Sequence, residues 1–474
     1  MAYKKVIWIS LDAFRADCVS VVKRKLYETE YKVDVKLKRS RVDQLCEKSF
    51  VFTNTISAAP YTSASHASYF TGMWPMHHGV YDQFNSRLHA TTIFQLAKRY
   101  GYTTAFKTDS PFLLGKYLNI TKGVDKYFVE ENKKILDYIK KKDKIFAFIH
   151  FANFHFPYGY HNFEFGGSAY LRKIEELEAK YGLDKNPNFY DRNDRATETF
   201  RTGEDLKLLY RYKRILNYLY SNRMDNDLFG LYLEGINYFN EHFLNSFFDR
   251  LLEILKDDDY LLMITSDHGE GWNDDTYGHH NSIDEGTLRV LLAFYAKDIK
   301  PGVYTNRVRT VDVFPTLTEI LFNKRPKCDG ETLRPLIYRR VIQPDRFAFA
   351  SVWVTDLGEL ARKADSIIKT GTVRPRKNVS SKYSAAAYLD NYKCEVHYMK
   401  FQNREDKLVK NTSVQLYKIQ SPTRLTETKN KAMERKMLEL IERLNKVQEQ
   451  KGRKKEEMLE RYFNALGYKI GNRF

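Results

Sequence analysis

Acidic and imidazole side chains follow two short apolar segments of the sequence. Asp12 comes directly after the run that ends at Leu11, and Asp267 and His268 come after the run that ends at Thr265. Carboxylate oxygens and an imidazole nitrogen together are a suitable ligand set for a divalent cation. A carboxylate in such a place can also cap the next helix. Two half-sites at one edge of a sheet nevertheless favour a metal centre.

Hydroxyl side chains crowd the start of a predicted helix in AAPYTSASHASYFTG, residues 58–72. Thr62, Ser63 and Ser65 each fit the N-cap role that most hydroxyls at helix starts have. A helix N-terminus also stabilises negative charge, so a hydroxyl held there beside a metal can lose its proton and attack a bound anion. One of these residues is therefore a candidate nucleophile, and the same residue can also cap the helix.

Four histidines occur in the segments FIHFANFHFPY and YGHHNSIDE: His150, His155, His279 and His280. Buried histidines often have only a structural role. Beside a phosphate or sulfate, an imidazole can instead bind the anion or protonate the leaving oxygen, because its ordinary pKa lies near neutrality. Both interpretations stay open for each of the four.

Three short apolar runs, residues 6–11, 145–151 and 260–265, must position these groups. Near-continuous apolar strands separated by helical segments are typical of a parallel sheet covered on both faces. Ligands bind beyond the carboxyl ends of such strands, so we expect the polar residues after each run to converge. Apolar spacing of three and four residues also predicts a long helix packed on the sheet. Its stripe is Ile236, Phe239, Phe243, Phe247, Leu251 and Leu255.

The sequence pattern changes along the chain in a way that predicts three parts. Residues 1–336 form a catalytic α/β domain with a helical insertion at about 166–226, residues 337–424 a small antiparallel subdomain, and residues 425–474 a basic helix. The small sheet is predicted from strand-like runs separated by turn or loop segments. These runs are 347–355, 385–401 and 414–419. The basic helix is either solvated or a surface for nucleic acid or another partner.

Charge and composition limit the class of protein. The 474 residues include 78 Lys and Arg against 60 Asp and Glu, a formal net charge of +18. This excess fits polyanionic partners such as nucleic acid, and a merely solvated basic surface equally well. A hydrophobic content of 43% excludes a collagen-like or mainly disordered chain. The spacing of the four cysteines indicates no disulfide framework, and without a membrane-span or signal-peptide pattern we expect a soluble cytoplasmic protein.

The motifs occur in an order that resembles the alkaline phosphatase superfamily, specifically its sulfatase-like metallohydrolases. From about residue 5 to 340 the order is LDAFRAD, APYTSASHASYFTGMWPMHHGV, GYTTAF, GVDKYF, HFANFHFPY, TSDHGE, GHHNSIDEGTLRVLLAFY, TVDVFPTLTEIL and DGETLRPLI, with LERYFNALGY near the C-terminus. One motif would be weak, whereas the ordered set is specific. The resemblance implies an α/β fold with a large, mostly parallel sheet flanked by helices, a small C-terminal antiparallel sheet and a terminal helix.

The resemblance also implies roles for individual residues. By position, Asp12, Asp267 and His268 become metal ligands, and Thr62 becomes the nucleophile that bridges metal and substrate. The other residues placed at the site are His155 and His279, as contacts to the transferred group or leaving oxygen, and His66, Lys107 and His280, on the substrate side.

Several positions depart from the pattern of true sulfatases. Those enzymes carry a Cys or Ser that is converted to formylglycine, followed by Pro and Arg two and four positions later. Here the three positions hold Thr62, Ala64 and His66, and threonine cannot yield the aldehyde. Ala13 stands where calcium-binding sulfatases often have a second acidic ligand. With the imidazole of His268, this change favours Mn²⁺ or Zn²⁺ over Ca²⁺ or Mg²⁺.

The leading hypothesis is a metal-dependent phosphodiesterase or phosphomonoesterase that acts on an anionic ester through a covalent phosphothreonine at Thr62. We expect one divalent ion, while a second ion near His155 and His279 would lack a second pair of carboxylates. The alternatives are a sulfuric ester hydrolase without formylglycine, a phosphotransferase, and a pseudoenzyme whose basic surface binds nucleic acid.

Overall fold

The structure is a computed structural model. It describes residues 3–81, 87–111, 113–156, 158, 163–183, 204–272, 278–354, 380–401, 413–421 and 423–444. The strands of the larger sheet are β1 (Lys5–Leu11), β2 (Phe50–Ile56), β3 (Thr103–Thr108), β4 (Lys126–Val129), β5 (Ile145–Phe151), β6 (Tyr260–Ser266), β7 (Arg289–Tyr295), β8 (Gly302–Tyr304) and β9 (Val308–Arg309).

The α-helices surround this sheet and connect its strands. They are α1 (Tyr27–Glu30), α2 (Arg41–Glu47), α3 (Thr62–Thr71), α4 (Pro75–His78), α5 (Ile93–Arg99), α6 (Asn132–Lys140), α7 (Phe163–Tyr181), α8 (Glu204–Ser221), α9 (Asp225–Phe239), α10 (Asn245–Leu255), α11 (Glu285–Leu288), α12 (Val313–Phe322) and α13 (Arg334–Arg339). In the described part of the chain, no helix has the length and apolar character needed to cross a membrane.

β1 lies in the middle of the larger sheet, between β5 and β6, and runs parallel to both. Across the described residues the strand order is β4-β3-β5-β1-β6-β7-β2-β8, and β9 pairs with β2. β7 is antiparallel to β6 and β2, so the sheet is mixed but mostly parallel. All residues of β1, β5 and β6 are buried, as strands covered on both faces require. The sheet predicted from the three apolar runs is confirmed.

The two faces of β1 belong to two separate cores, because successive side chains of a strand point in opposite directions. Ile7 and Ile9 pack in one core with the apolar side chains of α9 and α10. Trp8 packs in the other core with residues of α3, α5 and α12. Helices therefore cover both faces, and the carboxyl ends of the central strands are left as the open edge.

The predicted long helix is present as α9 and α10, joined without a break by a π-helical turn at Asn240–Leu244. Its aromatic stripe packs on β5. The ring centroids of Phe239, Phe243 and Phe247 lie 6.0, 5.9 and 5.0 Å from that of Phe151. These aromatic residues form core contacts, as the sequence spacing predicts.

The region predicted as a helical insertion contains α7 and α8. Glu178 of α7 accepts from Arg211 and Arg214 of α8 at 2.7 and 3.0 Å. Residues 184–203, which fall inside the same prediction, lie outside the described part of the chain.

A second sheet of five antiparallel strands follows the first. Its strands are β10 (Ala348–Val354), β11 (Ser380–Leu389), β12 (Tyr392–Phe401), β13 (Ser413–Ser421) and β14 (Arg424–Glu427). The predicted run 385–401 is in fact a hairpin, because Asp390 adopts a left-handed conformation with φ 51° and reverses the chain.

The second sheet is covered on both faces. Ala350 and Tyr388 pack against Ile56 and Tyr61 of the first part of the chain. On the opposite face a helix at residues 431–444 contributes apolar side chains such as Met437. The predicted terminal helix is thus present over these residues, and its continuation lies outside the described part of the chain.

Candidate active site

Asp12 stands at the carboxyl end of β1, immediately beyond the central strand. Its backbone N–H donates to the carbonyl of Phe151 at 2.9 Å, which extends the pairing with β5 by one residue. The next residue, Ala13, has φ 56°, a conformation that is uncommon for any residue with a side chain. In this conformation the Ala13 N–H donates to Oδ1 of Asp267 at 3.2 Å. The backbone after β1 therefore joins the two carboxylates into one site.

Asp267 and His268 follow the parallel strand β6 at the same edge of the sheet. His268 Nδ1 lies 2.9 Å from the Gly269 carbonyl, which can only accept, so Nδ1 carries a proton. The other ring nitrogen, Nε2, then faces Asp12 Oδ1 at 3.3 Å and Asp267 Oδ2 at 3.5 Å. Both carboxylates and this nitrogen converge on one small volume.

Thr62 is the first residue of α3, and its side chain points at the same volume. Its Oγ1 lies 3.4 Å from Asp12 Oδ2 and 3.4 Å from His268 Nε2. The other two candidate hydroxyls point elsewhere, since Ser63 donates to the Leu113 carbonyl and Ser65 to the main-chain carbonyl of Asp267. The geometry leaves Thr62 as the hydroxyl that faces the carboxylates.

The donor set fits a divalent metal ion. Ligand atoms of Asp12, Asp267 and His268 lie within 4.8 Å of one another, and all three residues are buried. Their separations of 3.3 to 3.5 Å are longer than ordinary hydrogen bonds, which have heavy-atom distances of about 2.7 to 3.0 Å. Within the described residues, Asp267 Oδ2 is buried and has no hydrogen-bond partner. A buried carboxylate oxygen in that state is satisfied by a cation.

Burial and neighbouring charges shift the pKa values of these three groups in different directions. Burial and the charge of Asp12 raise the pKa of Asp267 to about 6. Burial also opposes ionisation of Asp12, but hydrogen bonds from His150 and His268 hold its pKa well below the usual value. For His268, burial favours the neutral ring, yet Asp267 and Asp12 raise its pKa to about 9. Without a metal ion, His268 is therefore the cation that balances the carboxylates.

Two further histidines lie directly behind the carboxylates. His150 Nε2 is 3.2 Å from Asp12 Oδ2. His66 donates from Nδ1 to the Thr62 carbonyl at 2.8 Å, and its Nε2 is 2.8 Å from the hydroxyl of Ser10. Burial lowers the pKa of His66 to about 3, so the ring is neutral. His66, which the resemblance placed on the substrate side, thus fixes the first turn of α3 from beneath.

His66, His150 and Asp267 also bring one ligand atom each within 4.8 Å of one another. This second set shares Asp267 with the first, so the two sets are alternatives for the same carboxylate. Because both ring nitrogens of His66 already have partners, the set with Asp12 and His268 is the better site for an ion.

His155 and His279 stand next to the candidate metal ligands. The ring of His279 stacks on that of His268 with centroids 4.1 Å apart, and the ring of His155 lies 4.8 Å from His279. His279 Nδ1 is 3.2 Å from Oε1 of Glu270, a buried carboxyl whose pKa burial raises to about 8. The sequence motif contains Glu270, but sequence reasoning assigned it no role.

Two predicted site residues, Lys107 and His280, remain. Lys107 is buried, pairs with Asp109 at 2.5 Å and donates to the carbonyl of His150 at 3.1 Å. Its ammonium also contacts the ring of Phe151. These contacts brace the ends of β3 and β5. The side chain of His280 lies outside the described part of the structure.

The family of this chain follows from its similarity to known proteins. The sulfatase family profile matches residues 4–323, about two thirds of the chain. The chain belongs to the sulfatase family. Its similarity to an individual curated relative is local: it is 30% identical to a choline-sulfatase from Rhizobium meliloti over 110 residues, which are 22% of this chain and 21% of that protein.

Solved structures show that the fold extends over nearly the whole sulfatase-family chain. A phosphonate monoester hydrolase from Agrobacterium radiobacter has a TM-score of 0.58 at 17% identity, covering 94% of this chain and 96% of its own. A Bacteroides thetaiotaomicron structure from the metabolism of multiple glycosaminoglycans has a TM-score of 0.59 at 17% identity, with 94% and 97% covered. The family and fold class implied by the motifs are both confirmed.

Proposed function

We propose that this protein is a metal-dependent hydrolase of phosphate esters, either diesters or monoesters, that forms a covalent intermediate at Thr62. The observation that carries the proposal is the position of Thr62 Oγ1, at 3.4 Å from both Asp12 Oδ2 and His268 Nε2. A hydroxyl at a helix start, facing a metal-ligand set, is arranged as a nucleophile.

Asp12, Thr62, Asp267 and His268 would hold one divalent ion. The imidazole ligand favours Mn²⁺ or Zn²⁺ over Ca²⁺ or Mg²⁺. When bound, such an ion polarises the oxygen under attack and lowers the pKa of the hydroxyl.

The chain's own residues carry out the rest of the reaction. Thr62 Oγ1 loses its proton to solvent and forms a bond to phosphorus while the bond to the leaving alkoxide breaks. Water then attacks phosphorus, the bond to Oγ1 breaks, and the Thr62 hydroxyl is restored. The N-terminus of α3 faces the phosphoryl group and stabilises its charge. His279 protonates the departing alkoxide, and His155 binds a phosphoryl oxygen.

Phosphate is preferred over sulfate because of the residue at position 62. Threonine offers only a hydroxyl and cannot become the aldehyde hydrate on which sulfatases depend. Sulfuric ester hydrolysis is the second candidate function, since the family and the local similarity to a choline-sulfatase both favour it.

A substrate panel tests the proposal. With Mn²⁺ or Zn²⁺, we expect turnover of p-nitrophenyl phosphate or bis-p-nitrophenyl phosphate and none of p-nitrophenyl sulfate. Thr62→Ala should lower kcat by on the order of 10³-fold or more, while its melting temperature stays near wild type because Tyr61, and not Thr62, occupies the N-cap position of α3. Ser63→Ala is the matched control and should remain active.

Two results would overturn this assignment. One is sulfate turnover that exceeds phosphate turnover, which favours the second candidate. The other is normal activity in Thr62→Ala with loss in Ser63→Ala. Adding glycerol as an acceptor separates hydrolysis from phosphotransfer, since a phosphotransferase yields glycerol phosphate.

The two site histidines are distinguished by the leaving group. A p-nitrophenolate needs little protonation, whereas an alkyl alkoxide needs a proton from an acid. We expect His279→Ala to reduce hydrolysis of an alkyl phosphoester about 10²-fold more than that of a p-nitrophenyl ester. His155→Ala should reduce both alike. Equal losses for both esters in both variants would remove the acid role from both.

A further inference from the structure

Arg15 lies three residues after Asp12 and has no part in the proposed reaction. It is 1% exposed, and a charged side chain is buried to this extent only when partners surround it. The guanidinium donates to Asp17 from Nε and Nη2, at 3.0 Å each. Nη2 also pairs with Glu30 at 2.8 Å, and Nη1 donates to the main-chain carbonyl of Glu270 at 3.0 Å. The last of these contacts joins the segment after β1 to the segment after β6.

The Glu270 carbonyl ends the short segment that carries the candidate metal ligands Asp267 and His268. One residue before Glu270, the Gly269 N–H donates to the Thr287 carbonyl at 2.7 Å. The backbone of this segment is therefore held at two successive residues, once by Thr287 and once by the guanidinium.

The backbone of Arg15 is fixed to the turn that follows Asp12. The Tyr232 hydroxyl accepts from the Arg15 N–H at 3.0 Å and donates to the Ala13 carbonyl at 2.8 Å. Ala13 is the residue with φ 56° whose N–H donates to Asp267. Arg15 is thus attached through its backbone to the turn after Asp12 and through its side chain to the segment that begins at Asp267.

A glycine at position 286 leaves room for this guanidinium. A Cβ there would lie 2.3 Å from Nη1 and 2.8 Å from Cζ of Arg15, far inside van der Waals contact. Gly271 is also a neighbour, but a Cβ there would lie 4.0 Å from Nη1. Gly286 belongs to α11, where the backbone suits alanine, so the clash concerns the guanidinium itself. The position of the guanidinium thus requires glycine at 286 and not at 271.

Charge balance alone does not explain an arginine at this place. A lysine would also neutralise Asp17 and Glu30. Its ammonium is a single point charge, however, and does not reproduce the planar set of donors with which the guanidinium reaches two carboxylates and a carbonyl together.

We propose that Arg15 is a positioning residue for the metal centre. By donating from Nη1 to the Glu270 carbonyl, it holds residues 267–268 at the distance from Asp12 that a bound ion requires. Groups that orient metal ligands without touching the ion change its affinity about 10- to 100-fold. This inference rests on the metal site of the proposed function, but not on the kind of ester that is hydrolysed.

Calorimetric titration with Mn²⁺ compares the two glycine positions. We expect Gly286→Ala to lower Mn²⁺ affinity about tenfold or more, because the added methyl group displaces the guanidinium from the Glu270 carbonyl. Gly271→Ala is the matched control and should bind Mn²⁺ as wild type does. Wild-type affinity in a folded Gly286→Ala variant, or equal losses in both variants, would overturn the proposal.

Arg15→Lys separates positioning from charge balance. It keeps a positive charge beside Asp17 and Glu30, so the fold should be retained, and we expect Mn²⁺ affinity to fall about tenfold. Adding Gly286→Ala to this variant should cost little further affinity, because the atoms with which the methyl group clashes are gone. The visible absorption of bound Co²⁺, which depends on ligand geometry, should also differ from that of wild type. Unchanged Mn²⁺ affinity in Arg15→Lys would show that Arg15 only balances charge.

Failure of the proposed function gives a different result. Turnover of p-nitrophenyl sulfate in place of the phosphate esters would overturn that function and leave the order of Mn²⁺ affinities unchanged. If wild type binds neither Mn²⁺ nor Zn²⁺ at about 10 mM, where even sites with Kd near 1 mM are filled, the metal centre and the role of Arg15 are both wrong.

Discussion

Two clusters of buried charge in this protein look alike in composition but differ in how they are satisfied. In the first, the carboxylate site of Asp12, Asp267 and His268, one carboxylate oxygen has no hydrogen-bond partner among the described residues. In the second, the Glu285 cluster, Arg289 and Lys393 lie 2.5 and 3.1 Å from the Glu285 carboxylate, and the Tyr388 hydroxyl donates to it at 2.7 Å.

The pKa values express the same difference. Burial would raise the pKa of Glu285, but Arg289 and Lys393 lower it to about 2. Burial and the charge of Asp12 together raise the pKa of Asp267 to about 6. A buried charge with its own partners within the chain stabilises the fold. A buried charge without them destabilises the metal-free protein and marks the place of a ligand.

The largest effect on stability should follow from breaking the Glu285 cluster. Lys393→Met removes one partner of Glu285 and Glu395 and leaves buried negative charge, at a cost of about 3 to 5 kcal/mol in unfolding free energy. Urea denaturation measures this loss. Metal binding by the folded variant should be unchanged. If the variant is as stable as wild type, the Glu285 cluster does not stabilise the fold.

The carboxylate site should show the opposite pattern. Asp267→Asn removes a proposed ligand, and we expect metal affinity to fall about 100-fold or more, the scale on which even indirect partners of a metal act. In EDTA at pH 7.5 the variant should melt at or above the wild-type temperature, because the raised pKa of Asp267 means that its charge destabilises the metal-free fold. If the variant instead melts below the wild-type temperature, the charge of Asp267 stabilises the metal-free fold, as the charge of Glu285 does.

The smallest effect concerns pH. The pKa of His268 is about 9 in the metal-free protein, and its proton must leave before Nε2 can bind a metal ion. Apparent metal affinity should therefore rise about tenfold per pH unit between pH 7 and 9. Calorimetry in two buffers of different ionisation enthalpy counts the released proton. If the metal affinity does not change between pH 7 and 9, metal binding does not require His268 to lose a proton.

The Glu285 cluster provides the matched control for that measurement. Its carboxyl has a depressed pKa of about 2, so its contribution to stability is complete above the ordinary value of 4.5 and is lost only as the pH falls toward 2. Between pH 6 and 9 the cluster should therefore contribute equally to stability while metal binding changes.

Much of the fold and part of the site could be predicted from the sequence. Three fully apolar runs require cover on both faces, and the carboxyl ends of parallel strands lie at one edge of a sheet. This reasoning predicted that Asp12, Asp267 and His268 converge, and the structure brings them together. It could not choose between Thr62, Ser63 and Ser65, because successive helix positions differ by about 100° and the starting residue is not visible in the pattern.

The rest depended on side-chain contacts that the types and spacing of the residues do not reveal. Lys107 pairs with Asp109, two residues later on the same strand end, instead of reaching the carboxylates. His66 is held beneath Thr62 by the hydroxyl of Ser10, a residue 56 positions away. Glu270 contacts His279, which lies in the short 3-10 helix Gly278–Asn281. The hairpin at Asp390 reads as one strand because its turn has only two residues, Asp390 and Asn391, and contains neither Gly nor Pro.

The central position of β1 affects how the chain folds during its synthesis. β1 is made first, yet one of its two neighbours, β6, begins about 250 residues later. At the usual synthesis rate of about 5 to 20 residues per second, roughly 12 to 50 s pass before β6 leaves the ribosome. Over that time one edge of an apolar strand is open to chaperones or to wrong partners. Asp12 meets Asp267 only when this edge closes, so metal capture becomes available at a late stage of folding.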